Sequence, residues 1–333
     1  FHTEENSTII VDNNSEFILQ SGSRLELHGQ MIVRNGSKLV IEDVAEVFVH
    51  RGGKLIVQQG ATIEYKNTIV SKGIIFGTQP AAYVEPYVEI AGNLQIAPNT
   101  TFTFTGNGYL FWKQGNTIAG GANSKISITG SSISDLVMRL YNDATVTLNG
   151  ITMEVQYGKV ECSQNSQLMV GRMSKLLMTT TNVTSVNTGV MWYGIQVWGD
   201  AVQAQPVNPM PPTYPHGYLK LQNCTIANAL DAIRLIKDDG TTTDWSYTGG
   251  IVQATNTTFL NNWRSAEFMI YTYPNKSYFN NCVFITNGLL NDPNTTPNAH
   301  VTLFGVKGVQ FIRNRFKNNT PALYSYDKRA TEL

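Results

Sequence analysis

Residues 143–162 read DATVTLNGITMEVQYGKVEC, and this stretch decides the fold. It holds three units that start seven residues apart, at Asp143, Gly150 and Tyr157, and in each unit two apolar residues stand two positions apart with a polar residue between them. The apolar pairs are Val146 and Leu148, Met153 and Val155, and Val160 and Cys162. This alternation is typical of a short strand that buries one face. Each unit therefore predicts one strand and one tight corner.

The same unit continues in both directions along the chain. Its step is seven or eight residues, and the first residues of the units include Asn6, Asn14, Gly22, Gly36, Gly52, Gly60, Ala91, Asn99, Asn107, Asn165 and Met173. Three units close a coil of about 22 to 25 residues, which predicts an all-β fold, a right-handed, three-sided parallel β-helix. An antiparallel sandwich would need hairpin signals such as Asn-Gly pairs, and the chain has few of them.

The last part of the chain keeps this template in longer coils. Four segments can be superimposed position for position, and they start at Leu219, Val252, Ser277 and Val309. An Asn recurs at the same place in the first three, at Asn223, Asn256 and Asn281, whereas the fourth has Arg313. Because Asn tolerates left-handed backbone, each of these positions predicts a corner. We therefore expect one domain over 1–333, with short regular coils over 1–190 and longer coils with loop insertions over 191–333.

The composition excludes several classes of partner. The chain has 24 basic and 24 acidic residues and no basic run, so we expect no nucleic acid partner, since polyanion binding needs clustered Lys and Arg. No stretch reaches about 18 consecutive apolar residues, so no membrane span is predicted. The five histidines show no ligand spacing and the cysteines form no Cys-x-x-Cys pair. The sequence therefore indicates no metal and no cofactor.

The three cysteines carry a test of the coil register. Cys224 and Cys282 fall at one template position two coils apart, which corresponds to roughly 9.6 Å. A disulfide needs Cα atoms within about 7 Å of each other. We therefore predict that these two thiols and Cys162 are free and buried.

Three insertions interrupt the repeat, at residues 66–90, 200–216 and 287–299. Four tryptophans and several tyrosines cluster around the second one, and the candidate ligand-binding residues are Trp192, Trp198, Trp245, Trp263 and Tyr247. Aromatic side chains with a polar tip suit a wet surface that stacks against sugar rings. The alternative is that several of them pack in the core or at corners, and exposure decides between the two interpretations.

Asp238 and Asp239 are the alternative catalytic carboxylates, because polysaccharide hydrolysis needs two carboxylates across one bond. The pair resembles the paired aspartates of the polygalacturonases. That family also has Asn-Thr-Asp, Gly-His-Gly and Arg-x-Lys motifs on adjacent coils. Here no Asn-Thr-Asp exists, the nearest histidine, His216, lies in Pro-His-Gly, and Arg234 and Lys237 precede the pair instead of following it. Lys-Asp-Asp-Gly is, in addition, an ordinary turn sequence.

Residues 191–200, MWYGIQVWGD, resemble a family of secreted β-helix proteins of Bacteroidota. Residues 221–229, 254–262 and 326–329 add to the likeness, which covers roughly residues 90–333. The resemblance implies secretion by the type IX route and a place on the cell surface. Because the family's C-terminal sorting domain is missing, we expect a fragment of a larger protein, with a neighbouring domain at the C-terminus that covers an open last coil.

Three hypotheses follow for function. The first is a non-catalytic extracellular module, structural or adhesive, with a polysaccharide or surface glycan as its ligand. The second is a polysaccharide lyase or glycoside hydrolase, and the third is a passive secreted cargo or stalk domain without a ligand. Acidic residues that converge in a groove would favour the second, and a smooth polar exterior would favour the third.

Overall fold

The computed structural model consists of short strands with a single 3-10 turn among the residues that it describes. These residues are 1–42, 45–50, 53–58, 60–65, 74–76, 87–99, 101–105, 108–113, 115–130, 136–186, 188–206 and 215–318. The strands up to residue 186 are β1 (His2–Thr3), β2 (Thr8–Val11), β3 (Glu16–Leu19), β4 (Arg24–Leu27), β5 (Gln30–Val33), β6 (Lys38–Ile41), β7 (Glu46–Val49), β8 (Lys54–Val57), β9 (Thr62–Tyr65), β10 (Ile74–Phe76), β11 (Tyr87–Ile90), β12 (Asn93–Ile96), β13 (Thr101–Thr105), β14 (Gly108–Trp112), β15 (Gly115–Gly120), β16 (Lys125–Thr129), β17 (Leu136–Leu140), β18 (Thr145–Asn149), β19 (Thr152–Gln156), β20 (Gly158–Cys162), β21 (Gln167–Val170), β22 (Lys175–Thr179) and β23 (Asn182–Ser185).

The later coils contain the 3-10 turn and two additional short strands. Their elements are β24 (Trp192–Val197), β25 (Tyr218–Gln222), β26 (Thr225–Ala227), β27 (Ala229–Arg234), β28 (Lys237–Asp238), β29 (Thr243–Asp244), the 3-10 turn η1 (Trp245–Tyr247), β30 (Ile251–Thr255), β31 (Thr258–Leu260), β32 (Arg264–Phe268), β33 (Tyr278–Asn280), β34 (Val283–Thr286), β35 (Ala299–Leu303), β36 (Gln310–Ile312) and β37 (Arg315–Asn318).

Three parallel sheets run the length of the molecule, and every third strand belongs to the same sheet. Sheet A contains 12 strands from β1 to β36, sheet B contains 12 from β2 to β37, and sheet C contains 11 from β3 to β35. This order is that of a three-sided parallel β-helix, as the repeat predicts. No helix in the described parts of the chain is long and apolar enough to cross a membrane.

The register fixes the length of each coil. Val146 pairs with Leu168, and Phe102 pairs with Ile126, so one short coil separates the members of each pair. Both separations fall within the coil length that the repeat predicts. In the last part of the chain Leu219 pairs with Val252, and this coil is longer. Leu55 and Val88 in the early part are as far apart in sequence as Leu219 and Val252, so long coils occur in both parts of the chain.

The core is a column of apolar side chains that point inward from all three sheets. Phe259, Phe284 and Phe316 occupy one template position on successive coils of sheet B. Their rings stack with centroids 4.8 Å and 4.7 Å apart. Phe279 and Phe311 do the same on sheet A, at 5.2 Å. These pairs, together with the pairing of Leu219 with Val252 and of Ile226 with Phe259, confirm the predicted superposition of the four segments.

The Asn corners also have the predicted geometry. Asn223, Asn256 and Asn281 have φ values of 55°, 50° and 54°, in the left-handed region. The Asn256 side-chain amide donates to Asn223 Oδ1 at 3.2 Å, and that of Asn281 donates to Asn256 Oδ1 at 2.7 Å. Arg313 keeps this backbone conformation in the last coil, with φ of 54°. The left-handed corner therefore forms without an Asn side chain, and the hydrogen bonds between Asn amides are an additional interaction where Asn is present.

The cysteine prediction is confirmed. Cys162, Cys224 and Cys282 are free thiols and all three are buried. Burial raises the pKa of each thiol. They are therefore inert core residues in the present arrangement.

The predicted insertions are described only in part. Within 66–90, strands β10 and β11 pair in register with β7 and β8. These two segments therefore continue the repeat, contrary to the prediction that residues 66–90 interrupt it. Within 200–216, residues 207–214 lie outside the described residues. The prediction of an open last coil concerns residues 319–333, which also lie outside the described residues. Residues 200–206 pack onto the later coils, where Tyr271 Oη donates to the Gln203 carbonyl at 2.6 Å.

Candidate functional site

A flap formed by residues 237–247 lies over the carboxyl end of strand β24. It consists of the antiparallel pair β28 and β29 and the turn η1. The Gln196 side chain donates to the Asp238 carbonyl at 2.5 Å and accepts from the Asp238 N–H at 3.0 Å. At the other end of the flap, the Gly199 N–H donates to the Tyr247 carbonyl at 2.8 Å. The flap is therefore anchored to sheet C at both ends.

Two aromatic rings and two cations pack together where the flap contacts the coils. The Trp198 and Tyr247 rings lie 5.4 Å apart at an interplanar angle of 75°. The Arg172 guanidinium lies 4.0 Å from the centre of the Tyr247 ring and the Lys237 ammonium 4.7 Å from it. The Trp198 indole N–H donates to Gln196 Oε1 at 3.0 Å. These contacts hold the flap in place. The two cations already contact the face of the Tyr247 ring, so this ring is less suited to stack against a ligand.

Trp245 is the most exposed of the predicted ligand-binding tryptophans. It begins η1 and is 48% exposed. The Asp244 carboxylate caps this turn, since it accepts from the Ser246 hydroxyl at 2.7 Å and from the Ser246 N–H at 3.0 Å. These hydrogen bonds lower the pKa of Asp244. The capped turn presents an exposed indole on a fixed backbone, as a stacking site requires.

The other two predicted tryptophans lie outside this cluster. Trp192 is 0% exposed and its indole N–H donates to the Ala227 carbonyl at 2.9 Å, so the expectation that it binds a ligand is corrected: it is a core residue. Trp263 is half-buried, with the Arg264 guanidinium 5.1 Å from its ring centre. Trp263 directly precedes a strand of sheet C, whereas Trp198 directly follows one. Because a strand of 6 residues is about 20 Å long, the two side chains lie at opposite ends of the sheet C strands and do not form one site.

Asp238 and Asp239 serve the turn of the flap. Asp239 Oδ1 accepts from the N–H groups of Thr241 and Thr242 at 2.9 Å and 2.7 Å. Hydrogen bonds from Thr241 and Thr242 hold the pKa of Asp239 well below its usual range. Asp238 Oδ1 accepts from the Gly240 N–H at 2.7 Å. Both carboxylates are therefore committed to local contacts, in agreement with the interpretation of Lys-Asp-Asp-Gly as a turn.

A ladder of alternating charges crosses the outer face of sheet C beside the flap. Arg264 Nε lies 2.6 Å from Asp231 Oδ1, and a second nitrogen of Arg264 pairs with Glu267. Arg234 bridges Glu267 and Asp238, with nitrogen to oxygen distances of 2.6 Å to each. Burial raises the pKa of Glu267, and the Asp231 charge adds to this rise, which the two guanidinium groups oppose. Each carboxylate of the ladder has a guanidinium partner, so the arrangement favours a structural role over acid or base catalysis.

Sequence analysis missed Arg264 and Glu267 as members of this ladder. They pair with Asp231 and Arg234 in register. The separation in sequence is 33 for both hydrogen-bonded pairs of the ladder. It is the same offset that superimposes Leu219 on Val252. Extending the coil alignment from the inward to the outward positions would have found them.

A groove lies on another face of the described part of the chain, along sheet B and the corner after it. Its volume is about 640 Å³, and its lining residues are Ile56, Gln58, Glu89, Ala91, Lys113, Arg139, Tyr141, Asn142, Ser163 and Val186. Tyr109, Phe111 and Tyr141 form a row of half-buried rings at its side, with centroids 5.4 Å and 5.5 Å apart. The Lys113 ammonium lies 4.8 Å from the Tyr141 ring centre. Sequence analysis missed this row because its members occupy outward positions between inward core residues.

A third group of side chains has the chemistry of metal ligands. Glu26, His28 and His50 each offer one ligand atom, and these atoms all lie within 4.8 Å of one another. The three residues belong to the early coils, far along the chain from the flap: Glu26 lies in β4 of sheet A, and His28 and His50 directly follow β4 and β7.

Comparison with known proteins finds no match to the chain among protein-family models, curated proteins or solved structures.

Proposed function

We propose that this chain is a non-catalytic β-helix module that binds carbohydrate through the flap, with Trp245 as the stacking residue. The observation that carries the proposal is the 48% exposure of Trp245 on a turn that is capped by Asp244 and anchored to sheet C. An indole face that is already held in position loses little conformational entropy when it stacks on a sugar ring. The flap also contains Thr241 and Thr242, which are exposed, and their hydroxyl oxygens can accept hydrogen bonds from sugar hydroxyls.

The electrostatics of the surroundings support binding over cleavage. Glycoside hydrolysis requires one carboxyl group that gives a proton and a second carboxylate that is free to attack or to activate water. Near the flap, Asp238 is paired with Arg234, and Glu267 is held between Arg234 and Arg264. Asp239 is committed to its own turn. A substrate would have to displace these partners before any carboxylate could act.

The experiment is a glycan array with the purified chain, followed by titration of the best ligand. Trp245→Ala is expected to weaken binding at least about tenfold, which corresponds to the loss of one aromatic stacking contact. The matched control is Tyr193→Ala, because Tyr193 is 43% exposed and lies at the opposite end of β24. Equal binding by the native chain and Trp245→Ala would contradict the proposed site.

The same preparation tests the enzymatic alternative. Incubation with polysaccharides from the array, followed by analysis of chain length, is expected to show no depolymerisation. Cleavage that disappears in the Asp238→Asn, Asp239→Asn double variant would overturn the proposal in favour of a lyase or hydrolase. Absence of binding to every glycan would instead favour the stalk or cargo hypothesis.

We further propose that the module is secreted and displayed at a cell surface. The resemblance of residues 191–200 to secreted β-helix proteins of Bacteroidota supports this location, as does the low share of charged residues, 14% of the sequence. Antibody labelling of intact cells that express the full-length protein, with and without surface proteolysis, tests it. Labelling that requires permeabilised cells would contradict it.

A further inference from the structure

The outer face of sheet A brings two histidines together in the early coils. Leu27 of β4 pairs with Val49 of β7, so the residues that follow them, His28 and His50, stand one above the other. Their rings are stacked, with centroids 3.8 Å apart and an interplanar angle of 12°. Glu26 lies two residues before His28, and side chains two positions apart in a strand share a face. The in-register stacking of coils therefore assembles three ligand types that are distant in sequence.

One nitrogen of this group has no hydrogen-bond partner in the described part of the chain. His50 Nε2 is buried and has no hydrogen-bond partner among the residues that the structure describes. Glu26 Oε2 lies 3.7 Å from it, which exceeds the length of a hydrogen bond. Buried polar atoms in folded proteins are nearly always satisfied, so an orphaned ring nitrogen beside a second imidazole and a carboxylate needs an explanation.

We propose that Glu26, His28 and His50 bind a divalent transition-metal ion, with Zn²⁺ the best match. Two imidazole nitrogens and one carboxylate oxygen form a donor set that zinc uses, with a fourth position open to water or another ligand. The three ligand atoms lie within 4.8 Å of one another, whereas ligands of a tetrahedral zinc ion stand about 3.4 Å apart. A ring nitrogen binds a metal in the plane of its ring, so binding requires at least one of the two stacked imidazoles to rotate out of the stack. All three side chains are partly exposed, which leaves room for this rotation.

Arg24 positions the carboxylate of this site. Its Nε lies 3.2 Å from Glu26 Oε1 and 3.5 Å from Glu46 Oε1. The guanidinium thus holds one oxygen of Glu26, while the other oxygen is the one that lies nearer to His50 Nε2. Outer contacts of this kind orient a metal-ligating carboxylate. Glu46 offsets part of the Arg24 charge, which would otherwise oppose a bound cation.

The test is a calorimetric titration of the full chain, carrying no histidine tag, with ZnCl₂. The native chain should bind one ion per molecule, and His28→Ala and His50→Ala should each abolish this binding. Glu26→Gln should weaken it roughly tenfold. His300→Ala is the matched control, because His300 Nε2 contacts the Lys317 carbonyl at 3.0 Å in the last coils, and it should bind as the native chain does.

Cobalt provides a second readout that reports coordination directly. Co²⁺ added to the native chain should give the visible absorption bands of a tetrahedral site with nitrogen and oxygen ligands, and these bands should be missing from His28→Ala. His50→Asn, which keeps a polar side chain of similar length, guards against loss of folding, and circular dichroism of each variant checks it. Undiminished zinc binding by a folded His28→Ala, His50→Ala double variant, or no binding by the native chain, would overturn the proposal. Glycan binding should be the same in all these variants.

Discussion

The coils before residue 186 and those after residue 190 share one inward template and differ in what covers their outer faces. In the early coils, charged residues pair across neighbouring strands at the surface, as Lys125 and Glu154 do at 2.6 Å. In the later coils, the flap and residues 200–206 add a partial second layer. Gln196, Gln205 and Glu267 are buried polar side chains of this region. The early coils also bury polar side chains, among them Glu161, which is 8% exposed, so the later coils differ from them by the added layer and not by the presence of buried polar groups.

Removal of a core tryptophan tests the shared template and should have the largest effect. Trp112→Ala in the early coils and Trp192→Ala in the later ones should each lower the free energy of unfolding by about 3 to 5 kcal/mol, because both indoles are fully buried. Urea denaturation followed by circular dichroism measures the loss. Trp245→Ala is the control and should stay within about 0.5 kcal/mol of the native chain, since its side chain is exposed. Equal losses for Trp192→Ala and Trp245→Ala would contradict the placement of Trp192 in the core.

The phenylalanine variants at the same two positions sharpen the comparison. The Trp192 indole donates to the Ala227 carbonyl, whereas the Trp112 indole nitrogen has no hydrogen-bond partner in the described part of the chain. Trp192→Phe should therefore cost about 1 kcal/mol more than Trp112→Phe, because it leaves a buried carbonyl unsatisfied. The same urea denaturation measures both variants.

Arg264→Met tests the charge ladder of the later coils and should cost about 3 kcal/mol, because it leaves Asp231 and Glu267 without their shared cation in a partly buried place. Lys125→Met in the early coils is the counterpart and should cost about 0 to 1 kcal/mol, because that pair is more exposed. Chemical denaturation of both variants measures the difference. Equal costs would contradict the inference that the flap region gives the ladder an interior environment.

The pH dependence of Arg264→Met gives an independent check. The pKa of Glu267 is raised in the folded protein, so the folded chain holds this proton more tightly than the unfolded chain does. The resulting stabilisation is fully present below the ordinary carboxyl pKa, and it is lost as the pH rises through the folded-state pKa. Without Arg264 the pKa of Glu267 should rise further. The variant should then lose more stability at about pH 8 than at about pH 5, relative to the native chain at each pH. A loss that grows on acidification would contradict this sign.

Inward positions could be predicted from the sequence because one strand repeat reports them directly. The match of Ile226, Phe259 and Phe284 required only the alternation and the coil offset, and the structure confirms it. Contacts between outward side chains can be predicted only if the same coil offset is also used to align the polar residues. His28 and His50 are separated in sequence by the full length of one coil. A search for local ligand spacing does not detect such a pair.

The flap could not be predicted because its conformation depends on contacts between distant segments. Arg172 donates to the carbonyls of Gly199 and Ser246, and Ser246 lies 74 residues away in sequence. Gln205 reaches the carbonyl of Gly249, 44 residues further on. Neither contact has a periodic signal. The clustering of aromatic residues indicated the region, and only the structure separates Trp192 in the core from Trp245 at the surface.

Substitutions at the corners compare Gly and Asn, the two residue types that most often adopt the left-handed conformation there. Gly36 has φ of 77°, and a Cβ atom there would meet Asn14 Oδ1 at 2.0 Å, whereas Asn256 has φ of 50° and extends the amide ladder. Gly36→Ala should cost about 2 kcal/mol and Asn256→Ala about 1 kcal/mol. Thermal or urea denaturation measures both. In an Asn14→Ala background, Gly36→Ala should cost less, since the clashing side chain is gone, and an unchanged cost would contradict the clash.

Asp239→Asn in the flap should have the smallest effect, because an amide oxygen can still accept from the N–H groups of Thr241 and Thr242. The urea midpoint at neutral pH should not change measurably, since the side chain is fully exposed. The pKa of Asp239 is lowered in the folded chain, so its contribution to stability is present above its ordinary pKa and is lost as the pH falls through the lowered value. The native chain should therefore lose slightly more stability than the variant below about pH 4. Glycan binding at neutral pH should be equal in both, because the proposed site works by stacking on Trp245 and needs no carboxylate from this turn. A clear loss of binding in Asp239→Asn, with the urea midpoint unchanged, would show that the carboxylate contacts the ligand and would move the site from the indole to the acidic turn.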